Sequence, residues 1–441
     1  MKNKTPILSS LLLLAALFIG CTQEEDNLFE KSPAARMTEY LAGTDKILQG
    51  PEQGWLMYYF PDGQRKYGGF SYTVKFDGSK AEVGFQGATD VSKTLSSLYR
   101  LTNDTGPVLS FDTNNEYLHF FATPSASRYQ GLQGDFEFML LEVAPDHVKM
   151  MGRRSGNLIT MVPLKQASAD YLNGVNALAD DFIISGIKGT VGPTQVTAKL
   201  NLDYQQVTFE LGEESAQAAY LYTPTGIRLY EPVKIGDAGV QNFDFDPKTL
   251  KLTCTDPNVK GDLVGTLPDG YRRIESYPGD YWLIYDKEDE NDTEVDSLAV
   301  SLVENEPGHS LKMTGLNPKY APVFAFDKTN GVLTWSYQIL GTMDDGSTVR
   351  LCALDGKSGY FTWADSVFGR TEWNGDEQQP CYRIIPEYRW SGTRYSNSFY
   401  LCTWDANGIR KKAPTAASGW RFIIGDRTVT SIRHIWGLAK R

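Results

Sequence analysis

Apolar and polar positions alternate with a period of two over most of this chain, with helical spacing in only two places. Met37, Tyr40, Leu41, Ile47 and Leu48 recur at the three- and four-residue spacing of one helix face. Ser32 is placed to N-cap that helix, Pro33 fits its first position, and Gly50-Pro51 ends it. A second helix is predicted over 167–182, with Tyr171, Leu172, Val175, Leu178 and Phe182 on one face. Before it, strands are predicted at 55–60, 72–76, 82–85, 108–111, 117–121, 136–143, 148–151 and 158–162. A middle set of strands follows from about 195 to 255, and a third, Trp-rich β region begins near Tyr277.

The expected fold is therefore mainly β. It has two or three antiparallel β-sheet domains of sandwich or half-barrel type, an N-terminal helix and one connecting helix. The boundaries read 1–20 for a leader, 21–31 for an acidic tether, 32–275 for an α+β to mainly-β region divided near 166–182, and 276–441 for a Trp-rich β domain.

One short pattern recurs. Phe76-Asp77, Phe111-Asp112, Phe245-Asp246 and Phe326-Asp327 are each followed by Val83, Leu118, Leu252 and Leu333 at one spacing. Each copy predicts a hairpin in which Phe ends a strand facing the core and Asp binds the turn backbone.

The first twenty residues do not belong to this pattern. Lys2 and Lys4 precede an apolar run from Ile7 to Ile19, then Gly20 and Cys21. The run is too short to span a bilayer as a helix, and its order is that of an export signal. It matches a lipobox, although Phe18 stands where Leu is usual. Cys21 is the expected lipid anchor, holding the chain to a membrane by diacylglyceryl chains. Thr-Gln-Glu-Glu-Asp-Asn follows it. That stretch reads either as a solvated tether or as a sorting signal toward the outer face of an outer membrane.

Removing Lys2 and Lys4 moves the formal charge from −11 to −13. Nucleic acid is not an expected partner, because phosphate backbones need clustered Lys and Arg. No cofactor is expected. The four histidines, His119, His147, His309 and His434, lie far apart with no metal-binding spacing. Gly356-Lys357-Ser358 reads as a turn, since Leu351 stands where a phosphate loop needs Gly. Cys254, Cys352, Cys381 and Cys402 form no Cys-x-x-Cys. An envelope location permits a disulfide, and free buried thiols are the preferred reading.

Catalytic residues are not assigned. Asp135 and Glu137 share a strand face with Cα atoms roughly 7 Å apart, a spacing a glycosidase could use. Polar residues on a solvent face are the simpler account. The charged run 286–296 lacks the spacing of an EF-hand and reads as a loop. Asp296-Ser297-Leu298 and Asp365-Ser366-Val367 fit a short, loose O-glycosylation pattern.

Tryptophan is the most suggestive feature, with eight of nine residues from Trp282 onward. Sugar rings stack on exposed indoles. Trp373, in Thr-Glu-Trp-Asn-Gly-Asp-Glu, is the first candidate for ligand binding, followed by Trp363 and Trp390. Trp282, Trp335 and Trp404 lie in apolar runs and read as core.

Several segments carry a family resemblance. They are Ser32, Arg36, Glu39 and Leu48; Gly54-Trp55 with Tyr59 and Pro61; Gly68-Gly69-Phe70; Gly106-Pro107 leading into LSFDTNNEYLHFF; and Gly134-Asp135-Phe136-Glu137-Phe138. From Ser32 to about Asp269 the chain resembles the Bacteroidota lipoproteins grouped as domain-of-unknown-function family 4302. The resemblance implies an outer-membrane accessory lipoprotein, working beside a TonB-dependent transporter and a SusD-like lipoprotein. It carries over no catalytic residue. Three readings stay open: a non-catalytic surface protein that binds a glycan or a transporter partner in nutrient uptake, a carboxylate-dependent envelope hydrolase, and a structural or adhesive envelope protein.

Overall fold

The computed structural model describes residues 31–287 and 294–441. The leader, Cys21, the tether as far as Glu30 and the middle of the charged run lie outside them. The fold is mainly β with two α-helices among the described residues, built from several antiparallel sheets. Two compact units divide within the second helix, after Val175. The first also takes in residues 221–224.

In the first unit, α1 spans Pro33–Leu48, with Ser32 Oγ accepting the Ala35 N–H at 3.3 Å. Its last turn is anchored by the Trp55 indole N–H, which donates to the Leu48 carbonyl at 2.8 Å. A nine-stranded antiparallel sheet follows. Trp55–Tyr59 lies at its centre, between Phe70–Asp77 and Leu158–Pro163. Trp55, Met57 and Tyr59 face an aromatic core with Tyr72, Phe85, Phe121 and Phe138. Leu56 is buried on the other face, where the start of the second helix, Ser168–Asp181, packs. There Thr73 and Ser168 share a 2.5 Å hydroxyl contact. A strand covered on both faces reads as a continuous apolar run, as Trp-Leu-Met-Tyr-Tyr does.

The outermost strands of this sheet are Leu95–Leu98 and Arg100–Asn103. Only Tyr99 separates them. Two strands joined by one residue cannot lie a sheet's width apart, since each Cα step spans 3.8 Å. The sheet therefore curls until its edges meet at that bend.

Two of the repeated Phe-Asp segments are hairpins with Phe paired directly across the ladder: Phe245 with Leu252, and Phe326 with Leu333. Asp246 accepts the Lys248 N–H at 3.0 Å, and Asp327 accepts those of Thr329 and Asn330. Phe76-Asp77 also ends a hairpin strand, in a tighter turn where Asp77 pairs with Lys80. Phe111-Asp112 does not. The strand Pro107–Ser110 stops before it, and 117–121 forms turns rather than a strand. Asn115 causes this: its Oδ1 accepts the N–H groups of Tyr117 and Leu118 and winds the backbone back on itself.

α2 spans Ser168–Asp181, and the second unit takes up the chain at Asn176. Eight consecutive strands between Gly186 and Thr266 form a closed antiparallel barrel, sealed where Ile187 pairs with Gly265. Eight strands leave an interior that side chains fill. Val207, Phe209, Tyr220, Leu229, Val240 and Leu263 occupy it. Phe182 packs edge-on against Phe245 at 4.8 Å.

A second closed barrel uses Gly279–Asp286, Val295–Glu306, Ser310–Thr314, Val323–Asp327, Val332–Ser336, Val367–Trp373, Cys381–Pro386 and Ile435–Lys440. Leu283 pairs with Leu438 at its seam. Two long insertions, 337–366 and 387–434, interrupt it. Their strands Gln338–Thr342, Thr348–Leu354, Ser398–Trp404 and Ser431–Ile432 assemble into one further sheet. Its apolar residues join the barrel core around Trp335, Phe368 and Phe399.

Candidate functional site

The tryptophans singled out above fall on separate elements. Trp373 ends a barrel strand and is half-buried, against the expectation of exposure. The Arg272 guanidinium covers its ring at 4.4 Å, held there by Glu377 at 2.6 Å. Strand alternation turns the indole inward although its neighbours are polar. Trp390 is half-buried edge-on to Tyr388 at 5.2 Å. Trp363 is 46% exposed, beside Phe361 and Trp404. Trp335 and Trp404 are core, as expected. Trp282 is not: it is 40% exposed, and Arg441 stacks on it at 4.5 Å. A barrel strand has a solvent face even within an apolar run.

The carboxylate pair does not face a cleft either. Asp135 precedes the strand Glu137–Ala144 and is buried. Its Oδ1 accepts the N–H groups of Arg154 at 2.6 Å and Ser155 at 3.1 Å. Glu137 pairs with Arg153 at 3.5 Å. His119 sits in a turn rather than a strand, stacked on Phe136 at 4.8 Å. Gly356-Lys357-Ser358 is a turn tied by Asp355, which accepts from the Ser358 N–H and hydroxyl. Among the described residues no group of three or more His, Cys, Asp or Glu side chains gathers as metal ligands.

One concavity is built from the two insertions around Trp420. It encloses about 450 Å³ between the turn at Met343–Ser347 and the segment running from Lys411 to Trp420, with Thr403 between them. That volume falls in the range of small-molecule sites. The loop carrying Trp420 is held by the buried Asn317, whose amide donates to the carbonyls of Gly419 at 3.1 Å and Arg421 at 2.7 Å. Arg421 Nε donates to the Pro414 carbonyl at 2.7 Å, and Thr403 Oγ1 to that of Lys412 at 2.6 Å.

The ring is fixed as firmly as its loop. Tyr320 stacks on one face of Trp420 at 5.9 Å and 10°, and Lys319 Nζ lies 5.5 Å from the ring centre. Gly341 meets its edge so closely that a Cβ there would stand 2.6 Å from Cη2. The polar lining splits into structural and unengaged groups. Asp345 accepts the Ser347 N–H at 2.9 Å, and Lys411 pairs with Asp405 at 3.0 Å. Asp344 and Lys412 have no side-chain partner among the described residues. An immobilised indole beside an unpaired carboxylate and an unpaired ammonium suits a ligand that is flat and apolar on one face and rich in hydroxyls at its rim.

Sequence reasoning passed over Trp420, because its neighbours Gly419 and Arg421 mark neither a strand nor a turn tip. The three parts of the site, near 345, 403 and 415, become neighbours only through the inserted sheet.

A family model described as a domain of unknown function, DUF4302, matches residues 25–247, half of the chain. The chain belongs to this family. A second model, described as a domain of unknown function and designated DUF4987, matches residues 255–408. The DUF4302 match covers the nine-stranded sheet, α2 and most of the first barrel. The cleft's walls at 343–347 and 403 lie in the DUF4987 match, and its Trp420 side lies beyond it. No curated protein matches the chain. Among solved structures, the DNA polymerase III beta chain of Streptococcus pneumoniae TIGR4 is similar at 9% identity over 80% of this chain and 98% of that chain. Its TM-score of 0.11 carries no argument about fold or function.

Proposed function

We propose that this DUF4302 protein is a lipid-anchored protein of the outer-membrane surface that binds a glycan without cleaving it, as an accessory to nutrient uptake. Cys21 behind an export signal supports the anchor, and the acidic stretch after it supports an outward-facing location. The Trp420 cleft carries the binding function. Its indole offers the surface on which a pyranose C–H face stacks, and Asp344, Lys412 and Thr415 offer partners for sugar hydroxyls.

The carboxylates favour binding over hydrolysis. A glycosidase needs two carboxyl groups flanking the scissile bond. Asp345, next to Asp344, is engaged in its own turn, and Asp135 is engaged in holding the loop after Gly152. A TonB-dependent transporter and a SusD-like lipoprotein are the proposed partners at the membrane.

A glycan screen of the purified protein with product analysis tests this reading. Binding that Trp420→Ala weakens by at least about tenfold, with the glycan recovered intact, is the expected result. Cleaved products, or binding that Trp420→Ala leaves unchanged, would overturn it.

A further inference from the structure

The inserted sheet holds a second arrangement, on the strands Thr348–Leu354 and Ser398–Trp404. These come one from each insertion and pair through Arg350 with Cys402, Leu351 with Leu401, and Cys352 with Tyr400. Residues two apart on a strand share a face, so Cys352 and Cys402 point to the same side, one diagonal step apart. They belong to one small buried cluster with Trp404. Both are sealed from solvent, at 0% and 1% exposure, under Trp404, Tyr337, Phe361 and Tyr400.

No other thiols in the described chain are so placed. Cys254 belongs to the first barrel and donates to Asp256 at 3.3 Å, and Cys381 opens a strand of the second. All four are free here. Two thiols that could have been Val or Ala meet in a small cluster whose other members are all aromatic.

We propose that Cys352 and Cys402 form an intrachain disulfide, made by exchange with an organic disulfide, that joins the two insertions of the second barrel. The thiolate of one cysteine attacks one sulfur of the oxidant and breaks its S–S bond. The other oxidant sulfur leaves as a thiolate and takes up the proton that cysteine lost. The second cysteine gives up its proton and attacks the protein sulfur of the mixed disulfide, and the second oxidant sulfur leaves and takes up that proton. Two protein thiols are oxidised by two electrons, and one organic disulfide is reduced to two thiols. Burial places the exchange before the sheet has closed over the pair. The supply of oxidant rests on the export proposed above, since an exported chain meets such disulfides as it folds.

Peptide mapping tests this on the full chain, refolded from reduced denaturant with oxidised glutathione and then alkylated without reductant. Trypsin should release Leu351–Lys357 joined to Tyr395–Arg410, two hydrogens lighter than the free peptides together. Recovery of both peptides alkylated, either one glutathionylated, or cross-links to Cys254 or Cys381 would overturn the proposal. A second reading uses the double variant C352S/C402S. Dithiothreitol should lower the melting midpoint of the oxidised wild type by about 5 °C and leave the variant's unchanged. A shift of equal size in both, or none in the wild type, would also overturn it.

Discussion

The Tyr59 hydroxyl bridges the main chain of Asp135, accepting its N–H at 2.6 Å and donating to its carbonyl at 3.2 Å. Asp135 in turn holds the backbone of Arg154 and Ser155. A strand at the centre of the sheet thereby fixes a loop between two others, through a residue of the Gly-Asp-Phe-Glu-Phe segment. Burial, followed by the Asp135 charge, pushes the tyrosine's ionisation far above its ordinary value, so the hydroxyl keeps its proton. Tyr59→Phe strands a buried N–H and should cost about 1–3 kcal/mol in urea unfolding, with the slope unchanged.

Trp420→Ala removes the stacking surface and should weaken glycan affinity by at least about tenfold in calorimetry, a loss of about 1.4 kcal/mol. Gly341→Ala should give a smaller loss by pushing the indole edge aside.

Asn317→Ala should loosen the Trp420 loop without touching ligand. Two carbonyls lose their donor, at a cost of about 1–3 kcal/mol. Cleavage by a protease within 414–421 should quicken, while the barrel strands stay resistant.

His119 sets a pH dependence. Burial lowers its pKa, against an opposing hydrogen bond at the Asn115 backbone. The folded state thus binds fewer protons than the unfolded one just below the ordinary histidine value of about 6.5. Its contribution to stability is complete above that value and is lost as pH falls through the lowered one. The ring's proton resonances should titrate below 6.5, and His119→Gln should flatten the acid limb of the stability curve.

Glycine separates two outcomes in the first barrel. A Cβ at Gly226 would overlap the Phe243 carbonyl oxygen, whereas at Gly239 the nearest atom, Pro232 Cβ, is 3.5 Å away. Gly226→Ala should cost about 3 kcal/mol or more, and Gly239→Ala no more than about 1 kcal/mol, by thermal unfolding.

Local patterns carried the two helices and the Phe245 and Phe326 hairpins, because capping and cross-strand pairing act over a few residues. Barrel closure did not show in the same way. The sealing strands Gly186–Val191 and Gly261–Thr266 hold four glycines and little apolar periodicity, so a reading of 195–255 stopped short of both. The cleft was least legible. Whether an indole faces solvent depends on a cover such as Arg272 over Trp373, brought from a hundred residues away.

The bend at Tyr99 has a consequence for recognition. The two barrels close on themselves, and the first sheet brings its short outer strands together at one residue. None of these three bodies offers a long, unpaired strand to a passing peptide. They give no edge to partners that dock by extending a sheet, and the same closure guards them against edge-to-edge aggregation. Recognition on these three bodies is left to side chains and to the loops between strands, which can be exchanged without opening a ladder.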